Sequence, residues 1–453
     1  MAEFTIEEIR TATGGSVQGE AAGVQFQGIC TDTRMVQPGD LFIALIGERF
    51  DGHEFVKQAL AKGAAGVVIS NKPAEMPAGA VAVMVENTLK ALQDIAQFHR
   101  RRFSIPVIAI TGSNGKTTTK DLTAAILASK LTVLKTEANF NNEIGLPRTL
   151  LHLTKEHQVA VVEMGMRGSG EIAELAAIAE PTAGIVTNVG ETHIELLGSL
   201  ANIAAAKAEL VEAVPSQGFV ILNADNAYVK AMSSKAAGKV IFYGIEQPAD
   251  IQADQIQVEG LYTTFTCRCY DAAFPVKLPM IGLHNVYNTL AAVAAAWELG
   301  LSAQDIQTGL DRFQPSSMRQ QIERVGEYIV INDAYNASPL SMSGAITTLQ
   351  QVAAGRSVAV LGDMLELGDV AIEAHQRIGQ TAAQSGVNAV VTVGALAEHI
   401  VIAAREAGIK EAVACQNHED AAMALQKILQ PGDTILLKGS RGMKMEKILE
   451  MLG

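Results

Sequence analysis

Hydrophobic residues recur along the chain at changing spacings, and the changes outline its organisation. Up to Arg102, short apolar runs alternate with Gly-rich turns, predicting a helix over 54–62, a turn over 63–66 and a strand over 67–70. A second helix is predicted over 89–103, ending in His99-Arg100-Arg101-Arg102 before the helix-interrupting Pro106. From Val107 the pattern becomes strand–helix alternation. A short apolar run over 107–111 and strand-like runs over 131–136, 159–163, 183–188, 218–223 and 240–243 predict strands; helical periodicity is clearest over 120–130, 171–179 and 200–214. Apolar strands between helices imply a mainly parallel sheet covered on both faces. Residues 251–280 instead alternate apolar and polar positions, as a small antiparallel sheet does. After Pro315, strands over 328–331, 357–361, 389–393 and 434–437 alternate with helices over 341–352, 372–384, 396–406 and 421–429, predicting a second open α/β unit. The expected division is 1–103, 104–314 and 315–453.

Length and composition fit that division. The chain has 453 residues, 48% hydrophobic and 18% charged, with 40 Gly and 13 Pro, which excludes a disordered or collagen-like chain. The formal net charge of −13 argues against a nucleic-acid partner, since displacing phosphate counterions needs a basic surface. Cys30, Cys267, Cys269 and Cys415 are too scattered for a disulfide framework, and Cys267/Cys269 lack the second pair a zinc site needs. The acidic start lacks an apolar signal core, and no apolar run reaches the ~18 residues of a membrane span. A cytoplasmic protein without membrane insertion is expected.

The strongest local chemistry lies in Val107-Ile-Ala-Ile-Thr-Gly-Ser-Asn-Gly-Lys-Thr-Thr-Thr119, between a strand and a helix. Such a turn points backbone N–H groups inward at the positive end of a helix dipole. Gly112 and Gly115 permit the tight path, Ser113, Asn114 and Thr118 complete it, Lys116 can reach the β/γ phosphates and Thr117 can ligate Mg²⁺. The full Walker pattern would place Gly at position 110, which is Ile. Two further apolar strands end in candidate ligands, Glu163 and, after Ile185-Val-Thr-Asn-Val-Gly-Glu-Thr, His193. Alone, the first reads as a solvated strand-end acid and the second as a loop histidine. In an open parallel sheet, however, ligands gather at the carboxyl ends of strands, beside Lys116.

Thr111-Gly-Ser-Asn-Gly-Lys-Thr-Thr118, Glu163-Met-Gly, Asn188-Val-Gly-Glu-Thr-His193 and His284-Asn-Val-Tyr-Asn288 together resemble the Mur ligases, whose phosphate loop lacks the first Walker glycine. The resemblance runs through all three blocks. It implies an α/β chain of three domains: a UDP-sugar-binding domain, a P-loop ATPase domain and a Rossmann-like domain. Thr31-Asp-Thr-Arg34, Asp51-Gly-His53, Asn332-Asp-Ala-Tyr-Asn-Ala-Ser-Pro339, Leu361-Gly-Asp-Met-Leu-Glu-Leu-Gly368 and Lys438-Gly-Ser-Arg441 resemble the member that joins D-alanyl-D-alanine to UDP-MurNAc-tripeptide. Ser338 stands where that member more often has Asn.

The roles that follow are what the resemblance implies. The tripeptide carboxylate takes the γ-phosphoryl group of ATP, and the dipeptide amine then attacks the acyl phosphate. Lys116 neutralises the β/γ oxygens; Thr117 and Glu163 hold one Mg²⁺, and His193 with a CO₂-carbamylated Lys207 holds a second. By itself, Lys207 in a helix reads as a solvated surface residue. Asn285 and Asn288 match adenine-proximal asparagines, although polar residues at a helix start also explain them. Arg319 and Asp333 would reach the γ-phosphate and ribose when the domains close. Asn336, Lys438, Ser440 and Arg441 would hold the dipeptide, and Asn139, Asn141 and Asn142 would line the same cleft. Uridine contacts are expected at Thr31, Asp32, Thr33 and Arg34 and around Asp51 and His53.

A monomer is expected, with UDP-MurNAc-tripeptide, D-Ala-D-Ala and ATP as its partners. Two alternatives remain open from sequence: another ligase of the superfamily, such as a diamino-acid adder or folylpolyglutamate synthetase, and a P-loop NTPase without ligase chemistry. His99, His152, His157, His399 and His418 read as surface or helix polarity, and His375 carries no assignment.

Overall fold

The computed structural model describes residues 2–72, 76–77 and 79–452. Among these residues the chain forms three α/β layers, each built around its own open sheet. In the first, Gly28–Cys30, Asp40–Ile43, Gly66–Ile69 and Ala82–Met84 pair in parallel, and Ser16–Gln18 closes the edge antiparallel to Ala82–Met84. The helix Ile6–Thr13 starts at a reciprocal cap between Thr5 and Glu8, and Thr88–Arg100 starts at Asn87, whose side chain accepts from Leu89 and Lys90 N–H. Residues 54–62 form a 3₁₀ turn, Gly52–Phe55, and a short helix, Val56–Ala61, in place of the predicted single helix.

The central sheet has the order Ala272–Leu278, Tyr262–Cys269, Ile251–Glu259, Lys239–Gly244, Phe219–Asn223, Ala183–Val186, Val107–Thr111, Val159–Glu163, Val133–Lys135. The six strands from Lys239–Gly244 to Val133–Lys135 are parallel. Their side chains alternate between two cores: Val107, Ala109, Ala160 and Val162 face one, Ile108, Ile110, Val159 and Val161 the other. Residues 251–280 form the expected antiparallel strands, joined to the parallel sheet through Tyr243↔Ile251 and Gly244↔Gln252. Cys267 and Cys269 are buried with their sulfurs 3.7 Å apart, and both are free thiols.

The third sheet runs Gln321–Val325, Tyr328–Asp333, Thr434–Lys438, Ser357–Gly362, Ala389–Val393, Glu411–Cys415. It is parallel except for the Gln321–Val325/Tyr328–Asp333 hairpin, and apolar clusters cover both faces. Sequence patterning predicts neither edge strand, because both carry charged or exposed alternate positions where a central strand is apolar throughout.

The basic run at the end of Thr88–Arg100 belongs to the seam between the first two sheets. Arg100 is buried and donates to the carbonyls of Ala179, Phe103, Ile105 and Glu180. His99 is buried, not a surface residue: Nε2–H donates to Leu153 O at 3.0 Å and the ring packs edge-on to Phe103. Burial pushes its pKa down to about 4. The interface withdraws these groups from water, which linear patterning cannot register. No helix among the described residues is long and apolar enough to cross a membrane.

Candidate active site

The phosphate loop follows from two backbone demands. Gly112 has φ 151° and Gly115 φ 81°, and the helix Lys116–Leu127 begins immediately, four residues earlier than periodicity predicts. A Cβ at Gly112 would lie 1.8 Å from Thr187 Oγ1, and one at Gly115 would lie 2.3 Å from Asn288 Oδ1. Neighbouring strand ends hold the loop open: Ser113 N–H donates to Asn188 O and Asn114 N–H to Asn188 Oδ1, each at 2.9 Å, and Thr187 Oγ1 donates to Asn114 O at 2.6 Å. The helix start has no side-chain cap, so its first N–H groups are available to an anion. Lys116 Nζ folds back onto Gly112 O at 2.7 Å. Its pKa is lowered by burial and by Arg319, against an opposing effect of Glu163.

These groups line a cavity of about 1200 Å³ between the central and C-terminal sheets. Ser113–Thr118, Asn139, Asn141, Asn142, Glu163, His193, Lys207, Asn285, Asn288, Arg319, Asp333, Asn336 and Lys438 all reach it. Glu163 is buried at its strand end; Oε1 accepts from Asn141 Nδ2 at 2.8 Å, and Oε2 is buried without a hydrogen-bond partner among the described residues. A desolvated carboxylate oxygen lacking a donor is what a hard cation satisfies. Lys207 is 2% exposed in the helix Leu200–Ala213. Burial, reinforced by Lys116, holds its pKa well below the ordinary lysine value. His193 sits at φ 58° at the start of a short helix, and its Nδ1–H donates to Glu366 of the C-terminal domain.

A directional chain of amides crosses the cavity. Thr119 Oγ1 donates to Asn288 Oδ1 at 3.2 Å, Asn288 Nδ2 to Asn285 Oδ1 at 3.2 Å, and Asn285 Nδ2 to Gln320 Oε1 at 2.7 Å. Gln320 Nε2 then donates to Thr348 Oγ1 at 3.3 Å, and its backbone N–H to Asp333 Oδ1 at 3.2 Å. Gln320 and Met318 both have positive φ, which turns Arg319 between them, its guanidinium 4.0 Å above the Tyr335 ring. Asp333 also receives Lys438 Nζ at 2.6 Å, so Lys438 serves here to hold Asp333 and the Asn336 carbonyl.

Other expected residues lie elsewhere. Ser440 is buried with Oγ accepting from Leu365 N–H, and Arg441 pairs with Glu446; neither lines the cavity. Thr31, Asp32, Thr33, Arg34, Asp51 and His53 lie in the first domain, outside the cavity. Arg34 pairs with Asp32, Thr33 Oγ1 donates to Gln58, and His53 bridges Asp51 and the Ser70 N–H. Several wall residues escaped the sequence reading, Asp225 and Gln320 among them. Asp225 follows the strand Phe219–Asn223 and accepts from Ile245, Glu246 and Gln247 N–H and from Tyr287 Oη, and Gln320 closes the amide chain. The strand-end rule that pointed to Glu163 points equally to Asp225; nothing local marks Gln320.

Comparison with known proteins agrees with this geometry. Residues 25–100 match the family model described as "Mur ligase family, catalytic domain", residues 110–296 the "Mur ligase middle domain" and residues 318–441 the "Mur ligase, glutamate ligase domain". The chain belongs to the Mur ligase family. Among Mur ligases, it is 40% identical over 442 residues to the UDP-N-acetylmuramoyl-tripeptide–D-alanyl-D-alanine ligase of Synechocystis, covering 96% of this chain and 94% of that one. A crystal structure of MurF from Acinetobacter baumannii superposes with a TM-score of 0.93 at 32% identity, over 100% of this chain and 99% of the other. MurF from Thermotoga maritima, solved in complex with ADP, superposes with a TM-score of 0.85 at 28% identity, over 94% and 96% of the two chains.

Proposed function

We propose that this Mur ligase forms the amide bond between the C-terminal carboxylate of UDP-MurNAc-tripeptide and the amine of D-Ala-D-Ala, converting ATP to ADP and phosphate. The observation that carries the reading is one cavity uniting a phosphate loop, a buried oxygen of Glu163 with no hydrogen-bond partner among the described residues, and the cationic groups of two domains. Full-length similarity to curated ligases of this name supports the choice of substrates.

A carboxylate is a poor electrophile, so its oxygen must first become a leaving group. The tripeptide carboxylate oxygen attacks the γ-phosphorus and the bond to the β-phosphate oxygen breaks, giving an acyl phosphate and ADP. The neutral dipeptide amine then attacks the acyl carbon, the C–O bond breaks, and phosphate leaves as the amine sheds a proton. Positioning and charge neutralisation dominate such chemistry. The loop N–H groups and Lys116 take the phosphates, and Arg319 adds positive charge from the far wall. In this reading Asn285 and Asn288, in the cavity wall, are assigned to the base and Asp333 to the ribose. The buried Glu163 oxygen suits a hard cation, so Thr117 and Glu163 would hold one Mg²⁺, and His193 with an oxygen of a carbamylated Lys207 would hold a second. Bound there, the ions would supply charge for the phosphoryl oxygens. A neutral, buried Lys207 amine is the form that takes up CO₂ as a carbamate. Docking of the C-terminal domain over the cavity keeps water from the acyl phosphate. The reading implies a bacterial, cytoplasmic setting.

The test is phosphate release with ATP and Mg²⁺, adding UDP-MurNAc-tripeptide and D-Ala-D-Ala singly and together. Release requiring both, with a UDP-MurNAc-pentapeptide product by mass, is expected. Activity only with UDP-MurNAc-dipeptide and a diamino acid would move the enzyme one step back.

A further inference from the structure

The loop 361–368 and the buried His375 take no part in the chemistry above, yet the structure builds them with care. Met364 N–H donates to His375 Nε2 at 2.9 Å, and His375 Nδ1–H donates to Ala371 O at 2.6 Å. These two partners define the histidine as a neutral tautomer, and its ring is fully buried. On the other side, Ser440 Oγ accepts the N–H of Leu365 at 2.9 Å, and Ser440 N–H donates to Asp363 O. Asp363 Oδ1 in turn accepts from Ala397 N–H at 2.7 Å. Thus pinned, the loop turns through Glu366 at φ 62° and Gly368 at φ 53°. A side chain at Gly368 would press on Glu195 at 3.3 Å.

The turn points one group at the central domain. The Glu366 carboxylate receives the Nδ1–H of His193, and Glu366 O accepts the N–H of Glu195 at 3.3 Å. Arg377, on the helix that carries His375, pairs with Glu191 at 2.6 Å. The segment 191–195 is therefore gripped by the C-terminal domain at three points, only one of which touches the imidazole.

We propose that Glu366 is a positioning residue, which fixes His193 with the proton on Nδ1 and the lone pair on Nε2, so that this ligand is oriented for a divalent cation only when the C-terminal domain is docked. A carboxylate on the distal nitrogen orients the ring and raises its basicity. Because that carboxylate comes from the other domain, cation binding and domain docking stabilise one another; each favours the other by the same factor. His375 and Ser440 act one step further back, by holding the loop that carries Glu366. The inference rests on the ligase reading, in which His193 faces a cation.

The experiment uses the full chain and the variants Glu366→Ala, Glu366→Gln and Arg377→Ala, with thermal unfolding to establish that each is folded. Mn²⁺ binding is followed by electron paramagnetic resonance in the presence of a nonhydrolysable ATP analogue and UDP-MurNAc-tripeptide, and Mg²⁺ dependence by product formation. Glu366→Ala is expected to weaken Mn²⁺ binding and raise the half-maximal Mg²⁺ concentration about tenfold or more. Glu366→Gln keeps an oxygen that accepts from Nδ1–H and recovers most of the loss. Arg377→Ala removes one half-exposed docking contact without touching His193, so through the coupling it weakens Mn²⁺ binding by less than about fivefold, well short of the loss in Glu366→Ala. Unchanged Mn²⁺ affinity in Glu366→Ala overturns the proposal, as does an equal loss in Arg377→Ala, which would make Glu366 a docking contact alone. If the parent chain binds Mn²⁺ but forms no pentapeptide product, the ligase reading fails, and the binding series still judges Glu366.

Discussion

Replacing Gly115 by alanine separates two costs that the loop geometry makes distinct. The residue sits at φ 81°, where a Cβ costs roughly 1–2 kcal/mol. The new Cβ would also lie 2.3 Å from Asn288 Oδ1, so Asn288 must move. That movement breaks its bonds to Thr119 and Asn285, each contributing about 0.5–1.5 kcal/mol. The sum is about 2–5 kcal/mol, drawn from the wall beside the phosphate loop. Gly14 supplies the control: its φ is 65° and a Cβ there would meet no atom within 4 Å, so Gly14→Ala carries the backbone cost alone. The assay is phosphate release against ATP concentration at saturating UDP-MurNAc-tripeptide and D-Ala-D-Ala, with thermal unfolding alongside. Gly115→Ala should lose at least about tenfold in kcat/KM for ATP, corresponding to ~1.4 kcal/mol, whereas Gly14→Ala should lose stability only. A Gly115→Ala enzyme within twofold of the parent in kcat/KM would refute the reasoning, because Asn288 would then be free to yield.

Gln320→Met keeps the side-chain length but removes bonds to Asn285 and Thr348, about 1–3 kcal/mol in all; kcat should fall about 5–150-fold with KM for ATP little changed. An unchanged kcat would detach the amide chain from Arg319. A ¹³C-bicarbonate NMR spectrum should show a carbamate signal that Lys207→Arg loses; an identical signal in both proteins would place the modification elsewhere. Acid should weaken the first-to-central seam through His99. Its pKa is about 4 folded and 6.5 when free, so the unfolded chain binds the extra proton between these values. The resulting stability is complete above about pH 6.5 and declines by at most ~1.4 kcal/mol per unit as pH falls toward 4. Denaturant titrations across that range, compared with His99→Gln, should show the slope diminished in the variant.

The two kinds of information differ in what they reach. Strand interiors such as Val159–Glu163 and Ala389–Val393 are legible because both faces are buried, leaving continuous apolar runs that end where the sheet does. The phosphate loop is legible because its chemistry is contiguous: strand, glycines, lysine and helix lie within one short segment. The start of Lys116–Leu127 is not, since its threonines carry no helical periodicity and an anion-binding helix start needs no cap residue. The edge strands Gln321–Val325 and Glu411–Cys415 escape for the opposite reason, one side of each being open to water.

From the sequence alone came the succession of apolar strands and helices, the phosphate loop, and the residue types able to hold phosphate and cation. These depend on spacing within a segment, and spacing is written along the chain. Tertiary structure alone decided that Glu163 Oε2 has no donor among the described residues, that Lys207 is stripped of water, that His99 and Arg100 seal a seam, and that Gln320 and Glu366 reach across to another domain. Burial and hydrogen bonding between residues far apart in sequence are properties of the packed chain. No local pattern encodes the distance from Glu366 to His193; the turn of one sheet's loop against another sheet's edge sets it.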